Sequence, residues 1–215
     1  KDKAPPEPMT DIDTQVHSEV WSQPFDAWTS AEENLNPLRS TQGDRAVVPA
    51  AMVIFGVSGD LTSRKLMPAL YDLAVDSSLP EGFSIVGVSH RDWSDEDFRN
   101  KMREAITASA RTPVTDEGWQ SFAKGLSYVR GDFNDLSTYQ RLGEELVNID
   151  AERGTKGNRI FYLATSPNYF LPIIHGLEDA GVSERQANYI EPAEGWQRIV
   201  VEKPFGHDLE SARDL

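Results

Sequence analysis

Apolar positions fall into two alternating rhythms from Val47 onward. Ala50 to Val57 (AAMVIFGV) is a short continuous apolar run, as expected of a strand buried on both faces. Leu61, Leu66, Met67, Leu70, Leu73 and Ala74 then recur at helical spacing across Asp60 to Ala74. Phe83 to Val88 (FSIVGV) reads as a second strand. Ser94 is a natural N-cap, followed by Asp95, Glu96 and Asp97 facing the positive end of a helix dipole, and the helix is predicted to run to about Thr107. Leu126 to Val129 is a third, weaker strand, and Leu136 to about Glu152 a helix with Leu142, Leu146 and Ile149 on one face. Arg159 to Ala164 (RIFYLA) predicts a fourth strand, followed by a helix from about Asn168 to Ala180 that Gly181 stops. Arg198 to Val201 predicts a fifth strand, and a further helix begins near Asp208. Strand and helix alternate throughout, which predicts an α/β fold: a doubly wound parallel sheet covered by helices on both faces.

Residues 1–46 follow neither rhythm. Pro5, Pro6, Pro8, Pro24 and Pro37 stand among many Asp, Glu, Ser, Thr and Asn residues, and the few large apolar groups are scattered. Such a segment cannot offset its own ordering entropy by burial, so the expected organisation is a flexible extension over 1–46 and one folded domain over 47–215. Trp21 and Trp28 are the groups that could dock part of it. The chain opens at Lys1, while Met9 begins the stretch MTDIDT.

Composition narrows the chemistry. Among 215 residues, 35 Asp+Glu against 21 Lys+Arg give a formal net charge of -14, and there is no cysteine. Without cysteine there is no disulfide scaffold, thiolate zinc site or thiol catalysis. The acid excess argues against nucleic acid or an anionic membrane as partner, since both need a basic footprint. No apolar run approaches the ~18 residues of a membrane span, which leads to the expectation of a cytoplasmic protein. The four histidines lack ligand spacing, so no metal site is expected.

The sharpest local signal is Gly56-Val57-Ser58-Gly59-Asp60-Leu61, between the first strand and the first helix. Glycines there let the backbone turn tightly and let a pyrophosphate approach the helix N-terminus, where free N–H groups favour an anion. The spacing is G-x-x-G, with Thr62 at the third small position, and glycine also serves many strand-to-helix junctions purely for backbone freedom. At the tip of the second strand, where an NAD enzyme places Asp or Glu for the ribose, this chain has Val88-Ser89-His90-Arg91. A basic tip suits a 2'-phosphate, and arginine's planar fork matches phosphate oxygens. The competing reading is that Arg91 pairs with Asp92 or Asp95 on a solvated turn. Gly56-Val57-Ser58-Gly59-Asp60 also approaches the nucleophile elbow G-x-S-x-G, but Asp60 stands where that motif needs glycine, so a serine hydrolase is disfavoured.

GVSGDLTSRKLMPALYDL (Gly56 to Leu73) and VVEKPFGHDLESA (Val200 to Ala212) closely resemble two signature stretches of glucose-6-phosphate dehydrogenases. AERGTKGNRIFYLATSP (Ala151 to Pro167) and VGVSHRDWSDEDF (Val86 to Phe98) fit as well, in the style of high-GC Gram-positive bacterial members. The resemblance spans about Leu38 to Leu215. It implies a Rossmann-type NADP domain joined to an α+β substrate domain that lies beyond this chain. It implies oxidation of glucose 6-phosphate at C1 to a lactone, the step that opens the oxidative pentose phosphate pathway, and a homo-oligomer for the full-length enzyme. Gly56, Val57, Ser58, Gly59, Asp60, Leu61, Thr62 and Ser63 correspond to the family's cofactor turn. Lys203 corresponds to the lysine that touches sugar and nicotinamide, and Pro167 to the proline shaping the nicotinamide end.

Three departures accompany the likeness. His90 stands where many relatives carry arginine, so the 2'-phosphate contact is expected on Arg91 or shared with His90. Ser166-Pro167 replaces the usual proline pair, leaving that bond's geometry open. The family's histidine base and sugar-phosphate residues belong to a stretch beyond Leu215, so this chain alone is expected to be inactive. A non-catalytic dinucleotide-binding module, acting as sensor or partner subunit, is the alternative reading.

Overall fold

A computed structural model of the chain describes residues 48–183, 195–204 and 213. The expected extension, with Trp21 and Trp28, lies outside the described residues, and of the helix expected from near Asp208 only Arg213 is described. Every residue of β1 (Ala51–Phe55) is buried, as its unbroken apolar run requires of a central strand. It pairs in parallel with β2 (Ser84–Ser89), Phe55 opposite Val88, and on its other side with β4 (Arg159–Leu163), Phe55 opposite Leu163. β3 (Leu126–Arg130) extends the sheet beyond β2, and β5 (Gln197–Val201) beyond β4. The order is β3-β2-β1-β4-β5 with every pair parallel, which is the expected Rossmann-type doubly wound sheet.

The two-residue period of the strands divides the core between two faces. Ala51, Val53, Phe55, Val86, Val88, Phe161 and Leu163 pack with Leu142, Leu146 and Ile149 of α4 (Leu136–Arg153) and with Ile173 and Leu177 of α5 (Phe170–Asp179). Met52, Ile54 and Ile85 face the opposite way. They meet Met67, Leu70 and Tyr71 of α1 (Met67–Val75), Phe98, Met102 and Ile106 of α2 (Asp95–Ser109), and Trp119 of α3 (Asp116–Ala123).

Local sequence signals account for several of the helix ends. Ser94 caps α2 as expected: its hydroxyl accepts from the Asp97 N–H at 3.1 Å, and the Asp97 carboxylate accepts from the Ser94 N–H at 3.0 Å. α4 ends on Gly154 at φ 68, a left-handed stop. The helix after the glycine turn departs from the expected regular α-helix, because Thr62–Leu66 form a π-helical turn before α1. Pro68 gives the physical reason. It has no N–H, and its ring would clash with the carbonyl four residues back, so a widened turn relieves the contact. α3 is a helix that periodicity missed. Thr115 caps it by accepting from Gly118 N–H at 3.1 Å, but Gly118 interrupts a segment of only eight residues. Among the described residues no helix is long and apolar enough to cross a membrane.

Asp72, on α1, is buried yet accepts from the backbone N–H groups of Thr112 at 2.9 Å and Arg111 at 3.2 Å. Burial opposes its charge, but the two N–H groups prevail and hold the carboxyl below the usual range. These bonds tie α1 to the loop after α2. Asp72→Ala is expected to cost about 1–3 kcal/mol, read by urea denaturation, because both N–H groups lose their acceptor.

Candidate functional site

Parallel strands all present their carboxyl ends at one edge, and the connections from β1 and β4 leave it toward opposite faces. The crevice at that switch point is where doubly wound sheets take ligands. Here it is a groove of about 250 Å³. Gly56, Ser58 and Gly59 line it after β1, Ser89 and His90 at β2, Asp132 and Phe133 after β3, and Thr165 and Ser166 after β4.

The glycine turn is built into the sheet edge. Gly56 N–H donates to Val88 O at 2.9 Å and Gly59 N–H to Gly56 O at 2.9 Å. Gly56 has φ +84, and a Cβ there would lie 2.6 Å from Ala164 O, so only glycine fits. Val57 turns inward and is fully buried in the core, and its N–H donates to Val88 O at 3.3 Å. Ser58 is partly exposed and makes no hydrogen bond with the described residues. Asp60 points to solvent and pairs with Arg64 at 2.8 Å, and Leu61 is exposed beside it. Thr62 is fully buried with its hydroxyl unpartnered, while the Ser63 hydroxyl donates back to Gly59 O at 3.1 Å. At the groove the turn presents its two glycines and the unpartnered Ser58, beside the start of a helix whose first N–H groups have no intrahelical acceptor, an arrangement that fits a pyrophosphate. Ser58 and His90 line the same groove without being hydrogen-bonded, so no nucleophile–base pair is assembled there.

At the β2 tip, Ser89 is buried and His90 and Arg91 are exposed. Nearby carboxylates are already engaged. Asp92 pairs with Arg130 at 2.7 Å, and Asp95 accepts from the Tyr128 N–H at 2.7 Å and lies 3.7 Å from Arg99. Arg91 makes no ion pair among the described residues, which removes the solvated-turn pairing as its explanation. His90 lines the groove, and Arg91 stands beside it, off the lining.

Sequence reasoning missed several lining residues. Phe133 meets Tyr169 edge to face at 5.4 Å and Phe55 at 5.9 Å, forming an aromatic wall. Its carbonyl accepts from the Tyr139 hydroxyl at 2.6 Å. Burial, and then the Asp132 charge, pushes that phenol well above its ordinary value, so it stays a donor. The available signal was Gly131-Asp132 directly after a predicted strand, the same punctuation that marks Gly56. Pro167 begins a 3-10 turn, Pro167–Tyr169, after the groove-lining Ser166, and the Ser166–Pro167 bond is trans.

Lys203 is exposed at the carboxyl end of β5, on the same edge but outside the groove lining. Its neighbour Glu202 accepts a hydrogen bond from the Tyr162 hydroxyl on β4. Burial and the Glu202 carboxylate push that phenol up to about 12. The segment bearing Lys203 is thereby tied to the adjacent strand. The structure thus brings the glycine turn and His90 into one groove, and it leaves Lys203 and Pro167 at its margin.

A family model described as glucose-6-phosphate dehydrogenase, NAD binding domain, matches residues 53–215. The chain is 44% identical over 183 residues to glucose-6-phosphate 1-dehydrogenase 2 of Mycobacterium tuberculosis, covering 84% of this chain and 34% of that protein. It is 39% identical over 171 residues to the Chlamydia pneumoniae glucose-6-phosphate 1-dehydrogenase, covering 80% of this chain and 33% of the relative. Among solved structures, glucose-6-phosphate 1-dehydrogenase from Mycobacterium avium superposes with a TM-score of 0.63 at 35% identity, over 77% of this chain and 32% of that one. A glucose-6-phosphate dehydrogenase in complex with its substrate gives 0.64 at 30% identity, over 78% and 33%. The chain spans about a third of the length of these relatives. With its five-stranded parallel sheet and glycine turn, the chain belongs to the glucose-6-phosphate dehydrogenase family, in the part that matches the family's NAD binding domain.

Proposed function

We propose that this chain is the cofactor-binding part of an enzyme that oxidises glucose 6-phosphate at C1, and that its dinucleotide is NADP. The observation carrying the cofactor choice is the β2 tip: no carboxylate occupies it, and the one that follows, Asp92, is committed to Arg130. A free carboxylate there would accept from the ribose 2'-hydroxyl and repel a 2'-phosphate. The Arg91 guanidinium, without an ion pair among the described residues, instead offers donors to phosphate, with His90 beside it on the groove wall.

The remaining residues divide the work. Gly56, Gly59 and the opening turn of the helix lie against the pyrophosphate, with Ser58 as a further donor. Ser166, Pro167 and the Phe133–Tyr169 wall border the nicotinamide end. Lys203 orients the sugar at the sheet edge, held there by the Tyr162–Glu202 bond. Bound NADP would supply the hydride acceptor.

Titration of NADP and NAD against the chain, at fixed salt and pH, tests the reading. Arg91→Ala is expected to weaken NADP about 10–150-fold, the scale of a hydrogen bond to a charged group, while NAD changes little. Equal losses for both nucleotides would remove the 2'-phosphate role from Arg91. A selective loss only in His90→Ala would transfer it to His90.

A further inference from the structure

The exposed tip His90-Arg91 is held from behind by one phenol. The Tyr128 hydroxyl, on β3, lies 2.9 Å from Ser89 O and 2.8 Å from Arg91 O, the carbonyls on either side of His90. Its single proton is shared between these carbonyls, and it exchanges a further hydrogen bond with the Ser89 hydroxyl at 2.8 Å. That hydroxyl in turn accepts from Arg91 N–H at 3.3 Å. Trp93 N–H closes the far side, donating to Arg91 O at 2.9 Å. The Tyr128 ring is itself fixed between Trp93, at 5.7 Å, and Phe98, at 5.6 Å.

We infer that Tyr128 is a positioning residue for nucleotide specificity: its hydroxyl latches the Ser89–Arg91 backbone in the conformation that presents His90 and Arg91 to a 2'-phosphate. The inference rests on the NADP reading above. The Arg91 side chain has no ion pair among the described residues to steer it, so its direction follows from its backbone. That backbone is secured by Tyr128, Ser89 and Trp93. With the latch removed, a 2'-phosphate would have to order the tip as it bound, at a cost in backbone entropy. A ligand without the 2'-phosphate does not use the tip and does not meet that cost.

The test compares adenosine 2',5'-bisphosphate with adenosine 5'-monophosphate by calorimetric titration of the full chain, as wild type and Tyr128→Phe. Phenylalanine keeps the ring contacts with Trp93 and Phe98 and deletes only the hydroxyl. The expected result is a wild type that prefers the bisphosphate and a variant whose bisphosphate affinity falls about tenfold, with the monophosphate within about twofold. Ser89→Ala, which breaks the same network from the other side, should shift the ratio in the same direction and stands in if Tyr128→Phe folds poorly. A merely structural role would lower the melting temperature and weaken both ligands alike, leaving the ratio unchanged. That outcome overturns the inference and leaves the NADP reading standing. A wild type with no preference for the bisphosphate overturns the NADP reading and the inference with it.

Discussion

Gly56→Ala is expected to cost about 2–4 kcal/mol of stability, and to abolish most of the nucleotide affinity of whatever remains folded. Two effects add. Residue 56 holds φ +84, where an L side chain is strained, and the new methyl would sit 2.6 Å from Ala164 O and 2.9 Å from the Thr165 methyl. The carbonyl is backbone at the exit of β4, so it cannot swing aside as a side-chain end would. Either the β1 turn or the β4 exit must move. Both border the groove, and Gly56 N–H is bonded to Val88 at the end of β2, so the displacement reaches three strand tips. Gly59→Ala is the control. Its Cβ would lie 3.0 Å from Gly56 O without a positive φ, so its cost should be smaller, about 1 kcal/mol. Thermal denaturation reads the difference. For a chain of this size Gly56→Ala should melt about 5–15 °C below wild type. Equal midpoints for the two variants would show that the turn yields more easily than its geometry indicates.

Asp150→Ala is expected to destabilise the chain by about 3 kcal/mol while leaving nucleotide affinity intact in the folded fraction. Asp150 pairs with Arg159, whose side chain is only 6% exposed. The same carboxylate accepts from Gly157 N–H at 2.9 Å and from the Thr155 hydroxyl. Removing it strands the guanidinium with three weak partners: Thr155 Oγ1 at 3.1 Å, Asn158 O at 3.2 Å and Leu146 O at 3.3 Å. An uncompensated buried charge costs more than the pair contributes, so Asp150→Ala with Arg159→Met should recover part of the loss. The figure is at the low end of such pairs because the Asp150 side chain is 30% exposed. The cluster lies at the amino end of β4, and the groove at the carboxyl end, which separates the stability effect from binding.

This pair also sets a pH dependence. Burial works against the Asp150 charge, but Arg159, Gly157 N–H and Thr155 together hold the carboxyl below its ordinary value. A depressed folded-state pKa gives stability that is fully present above the unfolded carboxylate value of about 4 and fades as pH falls toward the folded one. Denaturation midpoints should therefore fall less steeply below pH 4 in Asp150→Ala than in wild type. Parallel curves would assign the acid sensitivity to other carboxylates, Asp72 first among them.

Much of this was legible in the chain because the signals are local. An apolar run of five to eight residues marks a buried strand, Ser94 three residues before Asp97 marks a helix start, and glycines between strand and helix mark a tight turn. α3 escaped because eight residues with an internal glycine carry too little periodicity. The π turn at Thr62–Leu66 escaped because Pro68 acts through a clash that spacing does not register. Asp92 read equally well as a partner for Arg91; its actual partner, Arg130, comes from a strand 38 residues away.

By itself the sequence determined the alternation of elements, the parallel α/β class, the glycine turn and the basic residues at the end of the second strand. Each depends on neighbours along the chain, through side-chain period, backbone freedom and capping. Only the tertiary structure decided which strand ends share an edge. The order β3-β2-β1-β4-β5 sets the turn after β1 between the ends of β2 and β4, brings Asp132 and Phe133 onto the groove, and leaves Lys203 one strand further out. It also gave Tyr128 its place behind Ser89 and Arg91. Such contacts join residues 37 or more positions apart, and they follow from strand order and register, which a local pattern does not carry.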